Sequence, residues 1–82
     1  MGDSYFLLNI VSQIVDSPDD VAVEQTTDER GVLFMLTVNP LDMGRVIGHR
    51  GETATALRTI VRAFGQKQNA RYSLKIAEGG RR

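Results

Sequence analysis

The sequence predicts an α+β domain with elements in the order helix, strand, strand, helix, helix, strand. Three observations carry this. An apolar stripe at helical spacing opens the chain. Two runs rich in β-branched residues follow, joined by a loop containing glycine. Two helical segments split by a glycine turn then precede one more alternating run. The last strand follows a long helical crossover, so it pairs in parallel with the central strand, while the first two form an antiparallel hairpin. The expected result is a three-stranded mixed sheet with three helices on one face.

Leu7, Ile10, Val11 and Ile14 recur at i, i+3, i+4 and i+7, one face of a helix running to about Asp16. Asp3 or Ser4 is its N-cap, with a side-chain oxygen for the first free amides. Pro18 stops it, because the residue before a proline disfavours helical angles. Val21 to Thr26 alternates and reads as a strand. Thr27 to Gly31 is a hairpin loop, with Gly31 supplying a positive φ. Val32 to Val38 is apolar on both parities, as a central strand should be. Val32, Phe34, Leu36 and Val38 then face the helices. Leu33 and Met35 face the other way, where with Ala22 they form a small apolar patch.

Asn39-Pro40-Leu41-Asp42 is a dense helix start, with Asn39 as N-cap, Pro40 at the first helical position and Asp42 in the first turn. That helix ends near Ile47, and Gly48 to Gly51 form the turn. The next helix runs from about Gly51 to Phe64, with Leu57, Ile60, Val61 and Phe64 as its core stripe and Gly65 as its C-terminal cap. Gln66 to Ala70 is a polar loop. Residues 71–77 alternate strictly, with Tyr72, Leu74 and Ile76 inward. The ordered domain is expected over about residues 4–78, and residues 79–82 as a flexible basic tail.

The 82 residues show no internal repeat and no boundary, so one domain is expected. A chain this short buries only roughly 60–65% of its unfolded surface, which favours grooves over deep pockets. The lack of cysteine excludes disulfides and thiolate metal sites and fits a reducing cytoplasm. There is one histidine, no carboxylate pair in the basic half and no Walker-type motif, so no enzyme, metal or cofactor is expected. The first apolar run is broken by Asn9 and Gln13 and lacks a basic leader, so neither a secretory signal nor a membrane span is expected. Net charge is zero but unevenly spread. Residues 1–42 hold eight acids against Arg30 alone, and residues 43–82 hold nine bases against Glu52 and Glu78. That asymmetry implies one basic face, the electrostatic footprint of a nucleic-acid binder.

The basic half centres on Gly44-Arg45-Val46-Ile47-Gly48-His49-Arg50-Gly51. Glycine leaves no Cβ in the way of an approaching ligand, and amides opening a helix suit a phosphate oxygen. Val46 to Gly51 is similar to the V-I-G-x-x-G signature of KH domains, in which the loop clamps about four backbone nucleotides. Together with the element order, the chain resembles the type II KH fold over nearly its whole length. It most resembles the small bacterial single-domain proteins of the KhpA family, through Pro40-x-x-Met43-Gly44-Arg45-Val46-Ile47-Gly48-x-x-Gly51 and Ala56 to Val61. His49 departs from the lysine or arginine common in that loop. The resemblance implies a cytoplasmic single-stranded RNA binder and RNA chaperone. It also implies a larger RNA-binding partner with a KH domain of its own, and a link to cell-envelope and cell-size control.

On that reading Gly48 and Gly51 let the sugar-phosphate chain approach, and the amides around His49, Arg50 and Gly51 face its phosphates. The side chains of His49 and Arg50 lie against it. Arg45 and Arg58 are candidates for phosphate or base-edge contacts, with Arg62 adding field one turn further on. Val46 and Ile47 form one wall of a shallow groove and the last strand the other, Ile47 offering apolar surface to a base. Phe6, Phe34 and Phe64 read as core, Tyr5 and Tyr72 stay open, and no aromatic stacking platform is visible. One such groove makes few contacts, so a homodimer or a heteromer with another RNA binder is expected, by avidity. Two other readings stay open: a helix-turn-helix DNA reader, and a protein-interaction module using the open sheet face.

Overall fold

A computed structural model describes residues 4–78; the expected tail at residues 79–82 and an Asp3 cap lie outside them. Helix α1 spans Tyr5–Ser12. It is shorter than its apolar spacing implies. The N–H groups of Ile14 and Val15 both return to the Val11 carbonyl, at 2.9 and 3.2 Å, so the last turn tightens. Val15 is thereby drawn into the core. The buried stripe is Leu7, Val11 and Val15, with Ile10 and Ile14 only half-buried beside it. Ser4 stands at the N-cap position but makes no side-chain bond there. A 3₁₀ turn over Pro18–Asp20 leads into the sheet.

Strands β1 (Ala22–Asp28) and β2 (Gly31–Val38) form the antiparallel hairpin. The expected five-residue loop is tighter, because Asp28 still pairs with Gly31 and only Glu29 and Arg30 turn the chain. The Asp28 carboxylate accepts the Arg30 N–H at 2.8 Å, an aspartate turn that fixes the reversal. Strand β3 (Tyr72–Glu78) runs parallel to β2, giving the order β1-β2-β3. Phe34, Leu36 and Val38 are fully buried from β2, and Tyr72 and Leu74 join them from β3. The Phe34 and Tyr72 rings meet edge to face at 5.0 Å, while Phe6 of α1 stacks on Phe64 at 4.2 Å. Such pairs add about 0.5–1.5 kcal/mol each beyond the area they bury.

The open face of the sheet is more polar than the sequence reading had it. Ala22 pairs with Thr37, not with Leu33 or Met35. Leu33 lies between Thr26 and Ser73, and Met35 between Glu24 and Lys75. The apolar patch is therefore two half-buried side chains fringed by polar ones.

Helix α3 spans Glu52–Lys67, running past the expected stop. Gly65 is not a cap. It is buried inside the helix, where a Cβ would sit 2.8 Å from both the Ala70 carbonyl oxygen and Tyr72 Cγ. Its lack of a side chain lets the chain fold back and lay β3 against α3. The C-cap is Gln68, and Asn69 just beyond it takes left-handed angles at φ 59°. Ala70 N–H then reaches the Gly65 carbonyl at 2.8 Å and Asn69 N–H the Gln66 carbonyl at 3.1 Å, a Schellman closure. The core stripe is also rotated from the expected one. Ala54, Leu57 and Val61 are buried, whereas Ile60 is exposed. Ile60 lies one residue before Val61, about 100° round the helix, beyond the buried stripe.

Candidate nucleic-acid interface

The segment ahead of the turn is built as two short pieces rather than one helix. Pro40–Asp42 forms a 3₁₀ turn and α2 spans Met43–Ile47. The Asn39 side chain accepts the Leu41 N–H at 2.8 Å, as its N-cap position requires. A five-residue helix has little stability of its own, since the first turn costs more than it returns. It must be held by its neighbours, and the 16–20 linker does this. The Asp42 carboxylate accepts the N–H groups of Asp16 and Ser17, each at 3.1 Å. Asn39 Nδ2 donates to Asp20 at 2.9 Å, and Arg45 donates to Asp16 at 3.3 Å. Asp42 is the one buried charged side chain among the described residues, 2% exposed. The sequence marked it as a helix-start acid, but it makes no cap bond there. The signal that places it inward is its spacing of four from Val46, which is fully buried.

The turn itself concentrates positive φ angles. Gly48 stands at φ 81°, ψ 174°, Arg50 at φ 56°, ψ 28°, and Gly51 at φ 74°, ψ 14°. The two glycines have different roles. Gly48 occupies a region open to almost no other residue. A Cβ there would also collide with the Thr53 hydroxyl and lie 2.8 Å from the Thr53 amide nitrogen. Its bareness closes the turn on itself. At Gly51 a Cβ would meet nothing within 4 Å, so its bareness faces open space. Gly48→Ala should therefore cost about 2–3 kcal/mol, from backbone strain and overpacking together. Gly51→Ala should cost about 1–2 kcal/mol, from the left-handed angle alone. Urea unfolding of the two variants measures the ranking.

Arg50 is a non-glycine residue in left-handed conformation, the kind of outlier that concentrates at functional sites. Around it the backbone is only partly paired. Gly48 N–H reaches the Gly44 carbonyl at 2.8 Å and Gly51 N–H the Gly48 carbonyl at 3.1 Å. The N–H groups of His49 and Arg50 between them have no acceptor among the described residues. Both side chains are exposed, and neither is ion-paired among the described residues. Glu52 is the acid nearest in sequence, in the first turn of α3 where the helix dipole favours it.

The other candidate residues are disposed unevenly. Arg45 is exposed and holds Asp16 in an ion pair. Exposed pairs are worth at most about 1 kcal/mol, so a phosphate can displace Asp16. Ile47 is half-buried and keeps some apolar surface outward. Val46 cannot be a wall of any groove, since it is fully buried under α2. Arg58 is exposed on α3 with no acidic partner among the described residues. No group of histidines and acids able to hold a metal ion occurs among the described residues.

A mixed sheet ordered β1-β2-β3, helices on one face and a G-x-x-G turn joining two of those helices define a type II KH domain. The family model for the KhpA/KhpB KH domain matches residues 4–76, and the chain belongs to that family. Similar bacterial proteins carry the name RNA-binding protein KhpA. The one from Leifsonia xyli subsp. xyli is 48% identical over 68 residues, covering 83% of this chain and 90% of its own. That from Halalkalibacterium halodurans is 44% identical over 70 residues, covering 85% and 92%. That from Clostridium acetobutylicum is 41% identical over 70 residues, covering 85% and 93%. No solved structure is significantly similar to the chain.

Proposed function

We propose that this chain binds single-stranded RNA at the Gly48–Gly51 turn. The observation that carries the reading is the pair of unpaired N–H groups at His49 and Arg50, presented on a corner with open space over Gly51. A phosphate oxygen satisfies such amides, and the exposed Arg50 and His49 side chains lie beside it. Arg45 and Arg58 add phosphate or base-edge contacts on the flanking helices, and Ile47 lies under a base. The names of the similar proteins support RNA as the ligand. A helix-turn-helix reading suits the site less well. At five residues α2 is about 7.5 Å long, too short to cross a duplex backbone as a first helix does.

In the cell this chain acts in the cytoplasm as an RNA chaperone and post-transcriptional regulator. It works with a larger KH-containing RNA-binding protein, as a homodimer or a heteromer that joins weak sites. The family model spans KH domains of both KhpA and KhpB, which supports such pairing. Leu41, 92% exposed, and Ile60 leave apolar surface for a partner to bury. The tie to cell-envelope and cell-size control rests on the family resemblance.

The test is binding by fluorescence anisotropy to matched single-stranded RNA and duplex DNA. Single-stranded RNA should bind more tightly. With two or three phosphates neutralised, log K should fall with log salt at a slope of roughly −1.4 to −2. Tighter duplex binding would favour the helix-turn-helix reading, and no binding to either would favour a protein-interaction module.

A further inference from the structure

A broad, open cleft lies away from the turn. It lies at the far end of α3, between the β1–β2 hairpin and the loop that enters β3, with a volume of about 890 Å³. Arg62, Gln66, Asn69, Arg71 and Tyr72 line one side, and the hairpin with Arg30 lines the other. Three arginines around one cleft in a chain of zero net charge need an account.

Their charges are not equally available. Arg30 is held by Asp28 at 3.6 Å. Arg62 and Arg71 have no acidic partner among the described residues. Glu29, the remaining acid of the cleft, sits at the hairpin tip. An anionic chain in the cleft is therefore drawn to the α3 and β3 side and away from the hairpin. Gln66 and Asn69 offer amide donors and acceptors on that same side, suited to a base edge.

The cleft is also in line with the turn. Arg58, Arg62 and Gln66 are spaced by four along α3, so they share one stripe of the helix. Arg62 lies about 15 Å along the axis from Glu52, and Gln66 about 21 Å. Arg58 falls between the turn and the cleft. The order along α3 is therefore the bare corner, Arg58, Arg62, then the cleft with Arg71.

We infer that the cleft is a second subsite for the same RNA strand, taking nucleotides beyond the four held at the turn. Arg62 and Arg71 hold phosphates there, and Gln66 and Asn69 face a base. This rests on the RNA reading of the turn and extends it. It makes binding depend on strand length: a four-nucleotide RNA occupies the turn alone, and a ten-nucleotide RNA reaches the cleft.

The test compares the parent chain with the double variant Arg62→Gln, Arg71→Gln, using four- and ten-nucleotide single-stranded RNAs of mixed sequence. Both residues are exposed, and circular dichroism checks that the fold is kept. The variant should lose about 10-fold in affinity for the ten-nucleotide RNA and less than twofold for the four-nucleotide one. Its salt slope on the longer RNA should become shallower by about 1.4, for two lost phosphate contacts on a single strand. Equal losses on both RNAs would mean that the arginines act only as general field, which overturns the subsite. No loss on either would take the cleft off the strand's path. If the parent binds neither RNA, the reading of the turn fails, and this inference with it.

Discussion

Asp42→Ala should lower the unfolding free energy by about 3–4 kcal/mol. The Asp42 carboxylate is buried and accepts two backbone N–H groups, from Asp16 and Ser17, at 3.1 Å each. Removing it leaves both donors unpaired, and each unsatisfied donor costs about 1–3 kcal/mol. Asp16 is exposed, so water recovers part of that, which sets the total below the upper sum. A domain of this size is stable by only about 4–12 kcal/mol, so the loss is a large fraction of the whole. Asp42→Asn keeps one carbonyl acceptor but sets its NH2 against the other N–H, donor to donor, so it should cost more than half as much. Urea unfolding followed by circular dichroism measures both. Equal stability of the alanine variant and the parent would mean that these bonds hold nothing.

The effect should spread to the site. Asp42 fastens the linker to the base of α2, and α2 is too short to hold itself. At temperatures where the alanine variant is still folded, RNA binding should weaken along with hydrogen-exchange protection in residues 43–47. Asp42 is thus a positioning residue: it does not touch the ligand but holds the helix that carries the turn.

Much of this molecule is written in its local sequence. The sheet is legible because β2 is apolar on both parities and β3 alternates, patterns that only a central and a half-exposed strand satisfy. The turn is legible because positive φ needs glycine, and two glycines three apart in a basic stretch mark it. What was not legible depends on contacts distant in sequence. Gly65 resembles a helix stop, yet the reason for a glycine there is Tyr72, seven residues on. Asn69 has no apolar spacing to announce it as the left-handed residue that closes α3. Ile60 fits an i, i+3 stripe as well as Val61 does, and only the placement of the sheet decides between them. Asp42 was read as a helix-start acid because its partners lie more than twenty residues away.

The candidate site divides in the same way. The motif alone places His49, Arg50 and the two glycines in the turn, and the structure adds that Gly48 packs inward on Thr53 while Gly51 faces open space. Arg45 is a candidate for phosphate or base-edge contact from its place beside the turn, and its ion pair with Asp16 shows only in the fold. Val46 was read as a groove wall and is core. The arginine cleft at the far end of α3 went unread, because Arg30, Arg62 and Arg71 come together only when the hairpin folds over the β3 entry.

The second large effect concerns the corner itself. His49→Asp with Arg50→Asp keeps both glycines and changes two exposed side chains that form no ion pair among the described residues. Aspartate tolerates left-handed angles better than most residues, so position 50 should accept it with little strain. Exposed substitutions of this kind usually shift stability by no more than about 0.5 kcal/mol. Binding should respond far more. The free amides would now face two carboxylates, which repel a phosphate and compete for the same N–H groups. Losing one charge-assisted contact costs about 1.5–3 kcal/mol, roughly 10- to 150-fold in affinity, and the repulsion by two carboxylates adds to that.

The deciding measurement is therefore the affinity of this double variant for single-stranded RNA, taken beside the parent at one salt concentration, with circular dichroism and thermal unfolding as the check on folding. A variant that unfolds like the parent and no longer binds is the expected result. A variant that unfolds like the parent and binds as tightly would contradict the assignment of this corner as the place where RNA is held.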